Sequence, residues 1–240
     1  MSPSGFLLID KPPGPTSHDI VDHARRVIGI RRIGHAGTLD PFASGLLILG
    51  IGTTTKRLSL LVGLDKIYET TIVFGAQSDT DDRTGTITQT SKPLPDEATI
   101  AQTVHTFKGT IEQIPPIYSA IKVQGQTLYR AARAGHPIQA APRKVSIFEW
   151  DILSCESDAN LNVHHFESSI HCSSGTYIRA LARDIGTILK CGGYVEELRR
   201  ISIGPFGVSE AISLESLQTE WKSHLLSEEN ILSRLPVSHL

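Results

Sequence analysis

Cysteine is scarce in this 240-residue chain, and its three copies, Cys155, Cys172 and Cys191, stand far apart. Their number is odd and no CxxC pair occurs, which argues against both a disulfide framework and a zinc framework. Long apolar runs are missing: none approaches the ~18 residues of a membrane span. The N-terminal MSPSGFLLIDKPPG has no basic start, and its apolar run stops at Asp10, so it does not read as a secretory signal. The cytosol is the expected compartment. Charge of one sign is also missing; the net charge is −2, which gives no general push toward nucleic acid. Several motifs fail on inspection. DTDDRTG lacks the glycine at the sixth position and the late glutamate of a calcium loop. GLLILGIGTTTK has no glycine directly before Lys56, so it is not a Walker loop. No Gly-x-Ser-x-Gly elbow occurs. His164, His165 and His171 lack a strong metal-ligand spacing.

The neutral average hides segregation. From Lys108 to Lys144 six Lys or Arg face one acid, Glu112, and from Lys11 to His35 five basic residues face two acids. From Ser209 to Leu240 five Glu outnumber Lys222 and Arg234. A basic front and middle with an acidic tail leaves room for a polyanion site.

The apolar pattern predicts strands at 5–10, 46–52 and 68–75, and a paired set over 145–155 and 161–173. It predicts helices over about 19–28, 54–63, 95–107, 126–134 and 174–189, the first capped by Thr16 or Ser17 and the last by a Ser/Thr. GHAGTLDPFASG reads as a glycine-rich loop, and 114–145 as a long mixed excursion of the kind that serves as a flap. After Gly207 the chain is helix-like and acidic. Strands and helices mix without regular βαβ alternation, so the fold class is α+β with a largely antiparallel sheet.

Asp40 is the one formally charged side chain between Arg32 and Lys56. Pro41 biases it toward extended geometry and fixes the acid at a loop corner. It is a turn residue or a nucleophile, and this stretch alone leaves both open. Tyr177 and Arg179 stand two apart at the mouth of a helix, where an arginine could supply a bidentate cation for an isolated carboxylate. Tyr68 could stack on a base, and His35 could meet a phosphate or a base. Lys122 and Arg130 lie among Tyr118, Tyr129 and Arg133, a basic and aromatic mixture that suits RNA.

DKPPGPTSHD, GHAGTLDPFASGLLILGIGTTTK, KIYETTIVFGAQSDTDDRTG, IPPIYSAIKVQGQTLYRAARAG, SGTYIRALARDIG and LRRISIGPF occur in that order. Together they resemble the successive motifs of the TruB family of tRNA pseudouridine synthases, from about Leu7 to Gly207. The resemblance implies the pseudouridine synthase fold, with a central mixed, mostly antiparallel sheet, flanking helices and a catalytic cleft. It implies isomerisation of uridine 55 in the T-loop of tRNA after base flipping. Asp40 then matches the nucleophile and Arg179 the arginine that pairs with it. His35, Tyr68, Tyr177 and Leu198 match positions that contact the flipped nucleotide, and Tyr177 could also act as a general base or orienting group. Residues 114–144, with Lys122 and Arg130, match a thumb-like loop that closes over the RNA arm. Neither metal nor organic cofactor is implied; the tRNA T-arm is the partner, and a monomer is expected. The expected domain covers 1–207, leaving 208–240 as a short acidic tail, too short for the PUA module of many relatives. Two other readings compete. A tRNA-folding chaperone on the same fold would not need Asp40, and a glycosidase would need a second acid such as Asp79, Asp81 or Asp184.

Overall fold

The computed structural model describes residues 3–90, 93–123 and 125–236. The chain forms two compact units, Met1–Tyr68 with Arg199–Leu240, and Glu69–Leu198. The expected tail at 208–240 and the excursion at 114–144 thus include residues 237–240 and 124, which lie outside the described residues. The first unit opens with β1 (Gly5–Lys11), α1 (Ser17–Ile28), β2 (Ile33–His35), β3 (Ser44–Ile51) and α2 (Leu58–Val62). Strand β4 (Lys66–Phe74) leads into the second unit. There follow β5 (Ala76–Ser78), β6 (Ile87–Gln89), α3 (Glu97–His105), β7 (Gly109–Gln113), β8 (Lys122–Val123), β9 (Gln126–Thr127), α4 (Leu128–Arg133), β10 (Arg143–Asp158), β11 (Val163–Cys172) and α5 (Ile178–Ile188). Strand β12 (Gly193–Ile203) returns to the first unit, which ends with β13 (Phe206–Gly207), α6 (Leu214–Glu220) and α7 (Glu228–Arg234).

In the first unit β1 and β3 are antiparallel, in register from Gly5↔Ile51 to Lys11↔Gly45. Both read as unbroken apolar runs because both of their faces are covered. Phe6, Leu8, Leu46 and Ile48 pack with Leu61 of α2 and Ile231 of α7. The alternate residues Leu7, Ile9, Leu47 and Leu49 pack with Ile20 and Val21 of α1 and Leu217 of α6. The segment after Gly207 therefore supplies one helix to each face, and Ile212 bridges to Ile9. Strand β12 joins β3 in parallel at Arg199↔Ser44 and Arg200↔Gly45. Gly45 is required there: its φ is +102°, and a Cβ would lie 2.3 Å from the Arg200 carbonyl oxygen.

In the second unit β10 pairs with β11 and with β7, both antiparallel, and β5 pairs with β6. The polar 78–85 loop connects β5 to β6. Trp150 is buried against Phe107 in an edge-to-face contact. No helix among the described residues is long and apolar enough to cross a membrane.

Three local expectations change. Helix α5 begins at Ile178, with the Tyr177 backbone as its cap, because the Thr176 hydroxyl donates back to the Ser173 carbonyl instead. Of the glycines in GHAGTLDPFASG, Gly34 and Gly45 belong to strands and Gly37 alone turns the loop, with φ +85°. Strand β12 went unread because its charged run EELRR masks the alternation; Leu198 and Arg200 are both buried.

Candidate functional site

Asp40 lies on the loop between β2 and β3, within the first unit. Thr16 and Asp19 form a reciprocal capping box at the start of α1, so the hydroxyl of Ser17 is left for another task. It donates to the Leu39 carbonyl at 3.1 Å and accepts from the Leu39 N–H at 2.8 Å. After Asp40 the chain turns: the Ala43 N–H donates to the Asp40 carbonyl at 3.1 Å. The turn reading of Asp40 is thus met by its backbone.

Two buried cations brace this loop. Lys11, fully buried, donates from Nζ to the carbonyls of Pro12, Pro15 and Pro41 at 2.9, 2.9 and 3.3 Å. Pro12 and Pro15 belong to the irregular KPPGP loop, and the Pro41 carbonyl accepts from the Gly14 N–H at 2.8 Å as well as from Lys11. Arg200, 1% exposed, donates to the carbonyls of Leu46, Thr38 and Gly37 at 2.8, 3.4 and 3.2 Å. Burial lowers the Lys11 pKa to about 8; the charge of Asp40 opposes this and the charge of Arg200 adds to it. His35 ends β2, and burial lowers its pKa, so the neutral imidazole is favoured. Tyr68 ends the first unit on β4 and is 8% exposed.

Tyr177, Arg179, Leu198, Lys122 and Arg130 belong to the second unit. The side chain of Gln113, on β7, brackets the Tyr177 backbone: its Oε1 accepts from the Tyr177 N–H at 2.8 Å and its Nε2 donates to the carbonyl at 3.0 Å. Arg179 is buried in the first turn of α5. It donates to the Thr80 carbonyl and the Tyr118 carbonyl, each at 2.9 Å, and forms an ion pair with Asp82 at 3.2 Å. One turn later Arg183 reaches Asp81 at 3.0 Å and the Ile114 carbonyl at 2.8 Å. Two arginines four residues apart thus hold both the 78–85 loop and the base of the 114–144 segment. Asp81 has φ +61°, and burial raises its pKa against the pull of Arg183 and Arg179.

Beyond that base the 114–144 segment is largely exposed. The hairpin β8–β9 pairs Lys122 with Thr127, and Thr127 caps α4. Tyr118 and Tyr129 meet edge to face at 6.2 Å, and Arg133 lies over the Tyr129 ring at 5.6 Å. Lys122 and Arg130 are solvent-exposed. Leu198 is buried on β12. Sequence reasoning missed Lys11, Arg200, Gln113, Asp82 and Arg183. The signal for the first two was a lysine among prolines and a paired arginine in LRRISIGPF.

Residues 25–178 match the family model for the N-terminal domain of TruB family pseudouridylate synthases. Residues 179–236 match the model for the tRNA pseudouridylate synthase B C-terminal domain. A tRNA pseudouridine synthase B from Corynebacterium jeikeium (strain K411) is 45% identical over 224 residues, covering 92% of this chain and 73% of the relative. One from Mycobacterium sp. (strain KMS) is 44% identical over 233 residues, covering 95% and 77%. Among solved structures, a chain of a Cbf5-Nop10-Gar1 complex superposes with a TM-score of 0.69 at 28% identity, over 90% of this chain and 54% of that one. A chain of an H/ACA RNP bound to a substrate RNA containing 2'-deoxyuridine gives 0.70 at 25% identity, over 97% and 62%. This chain therefore spans between half and two thirds of those solved chains. The α+β fold is that of the pseudouridine synthases, and the two family models together run from residue 25 to residue 236. The chain belongs to the TruB family of pseudouridylate synthases.

Proposed function

We propose that this chain converts uridine 55 in the T-loop of tRNA to pseudouridine, with Asp40 as the nucleophile. Family membership makes it a tRNA pseudouridine synthase, an isomerase acting on uridine in tRNA. The observation that carries the finer reading is the bracing of the Asp40 loop from both sides by Lys11 and Arg200. Isomerisation breaks the N-glycosidic bond, turns the base and rejoins it through carbon 5, with no net redox change and no net water. It needs one fixed, ionised nucleophile, which adds at uracil carbon 6 or acts at the ribose. A loop whose carbonyls are already satisfied by buried cations keeps such a carboxylate in place before substrate arrives.

The target base leaves its stack to be reached. In this reading Tyr68, His35 and Leu198 receive it, and Tyr177 orients the group at carbon 5. Arg179 supplies positive charge that keeps Asp40 ionised when water is excluded. Lys122 and Arg130 meet the phosphates of the T-arm.

The test is tritium release from tRNA transcripts labelled at uracil carbon 5, with wild type and Asp40→Ala side by side. Release by wild type alone supports the reading; the variant should fall by roughly 10³-fold or more while still binding tRNA. Equal release by both removes Asp40 from the chemistry. No release by either, with tRNA still bound, supports a tRNA-folding role.

A further inference from the structure

Glu97, Cys155 and His164 take no part in the residues described above. Glu97 opens α3, and Cys155 and His164 sit on the neighbouring strands β10 and β11. One ligand atom from each lies within 4.8 Å of the other two. Among the described residues this is the grouping of acid, thiol and imidazole that could enclose a metal ion.

The surrounding hydrogen bonds orient the imidazole. His164 Nε2 lies 3.2 Å from the Pro95 carbonyl, which can only accept, so the ring proton belongs on Nε2. The lone pair is then on Nδ1, turned toward the Ser157 hydroxyl at 2.8 Å. A ring N–H donated to a backbone carbonyl is the usual outer support of a metal-ligating histidine. Ser157 Oγ also lies 3.2 Å from Glu97 Oε1, so the hydroxyl stands between two of the three donors. Sulfur, nitrogen and carboxylate oxygen together form a borderline-soft set, suited to zinc and poorly suited to magnesium or calcium. Tetrahedral zinc takes three such ligands and leaves a fourth position for water or the Ser157 hydroxyl.

We propose that Glu97, Cys155 and His164 form a binding site for a zinc-class divalent cation that ties the start of α3 to the β10–β11 hairpin. On binding, the Cys155 thiol proton passes to solvent as the metal–sulfur bond forms, and no electron is transferred. The ligands are far apart in sequence, at 97, 155 and 164, so no linear motif announces the site. The half-buried Cys155 differs in this from Cys172 and Cys191, which are buried.

The experiment is a cobalt(II) titration of the metal-free full chain, read in the near-ultraviolet. The expected result is a saturable thiolate-to-cobalt band at one ion per chain, removed by stoichiometric zinc. Cys155→Ser should abolish it, and His164→Gln should weaken cobalt binding by about tenfold or more. Glu97→Gln changes an exposed side chain, so it tests the site without burdening folding; it too should weaken binding. Zinc should raise the melting temperature of wild type and leave that of Cys155→Ser unchanged. No band in wild type, a band that survives Cys155→Ser, or a Glu97→Gln titration identical to wild type overturns the proposal.

Discussion

The Asp40 loop and the 114–144 segment are both irregular, yet they are held in different ways. The first is braced along its length: Arg200 takes the carbonyls of residues 37 and 38, Ser17 takes both backbone groups of Leu39, and Lys11 takes the carbonyl of Pro41. The second is held at its base, by Arg183 at Ile114 and Arg179 at Tyr118, and then supports itself through a two-residue hairpin and a short helix. The difference follows from what each is proposed to do. A nucleophile gains from being fixed in advance. A surface that meets a folded RNA gains from exposed cations and room to adapt.

The sharpest way to break this contrast is Arg179→Lys. A point charge cannot keep the fork that serves Thr80, Tyr118 and Asp82 together. Turnover should fall by about 10²-fold with the fold retained; near-normal single-turnover rates would remove Arg179 from the chemistry. Arg200→Met comes next. It strips the donors from three carbonyls and should cost about 3 kcal/mol in denaturant unfolding as well as activity. A variant of unchanged stability would show that the loop does not depend on this brace.

A smaller effect is expected at the exposed segment. Lys122→Glu with Arg130→Glu should weaken tRNA binding and flatten its log–log salt slope by roughly 1.5, while stability stays near wild type. An unchanged slope would take the segment out of the interface. The smallest effect concerns pH. The folded pKa of Lys11, about 8, lies below that of an unfolded lysine, so the unfolded chain binds more protons between about pH 8 and 10.5. Stability must then rise with pH across that window. The gap between wild type and Lys11→Met, measured by urea unfolding at pH 7.5 and pH 9.5, should shift in favour of wild type at the higher pH. A pH-independent gap would mean that Lys11 titrates as a free lysine does.

Much of this was legible in the residues. The double-sided burial of GFLLID and LLILGI follows from runs without a polar face, and the cap of α1 from Thr16 with Asp19 three residues on. The isolation of Asp40 and the spacing of Tyr177 and Arg179 are visible in the residues alone. Strand β12 was hidden because two of its charges are engaged by partners distant in sequence: the half-exposed Arg199 reaches back to Asp10, and the buried Arg200 to residues 37, 38 and 46.

The sequence by itself determined the α+β class and the ordered motifs of the family, and it singled out the candidate residues proposed for the site. Local rules suffice for these, because period, capping and turn chemistry act over a few residues. Tertiary structure alone decided which carbonyls Lys11 and Arg200 serve, that the helices after Gly207 cover both faces of β1 and β3, and that Glu97, Cys155 and His164 converge. Most of those outcomes depend on pairing and packing between segments tens to hundreds of residues apart, such as Lys11 with Pro41, Arg200 with residues 37, 38 and 46, and Glu97 with Cys155, and such contacts leave no spacing in the chain to read.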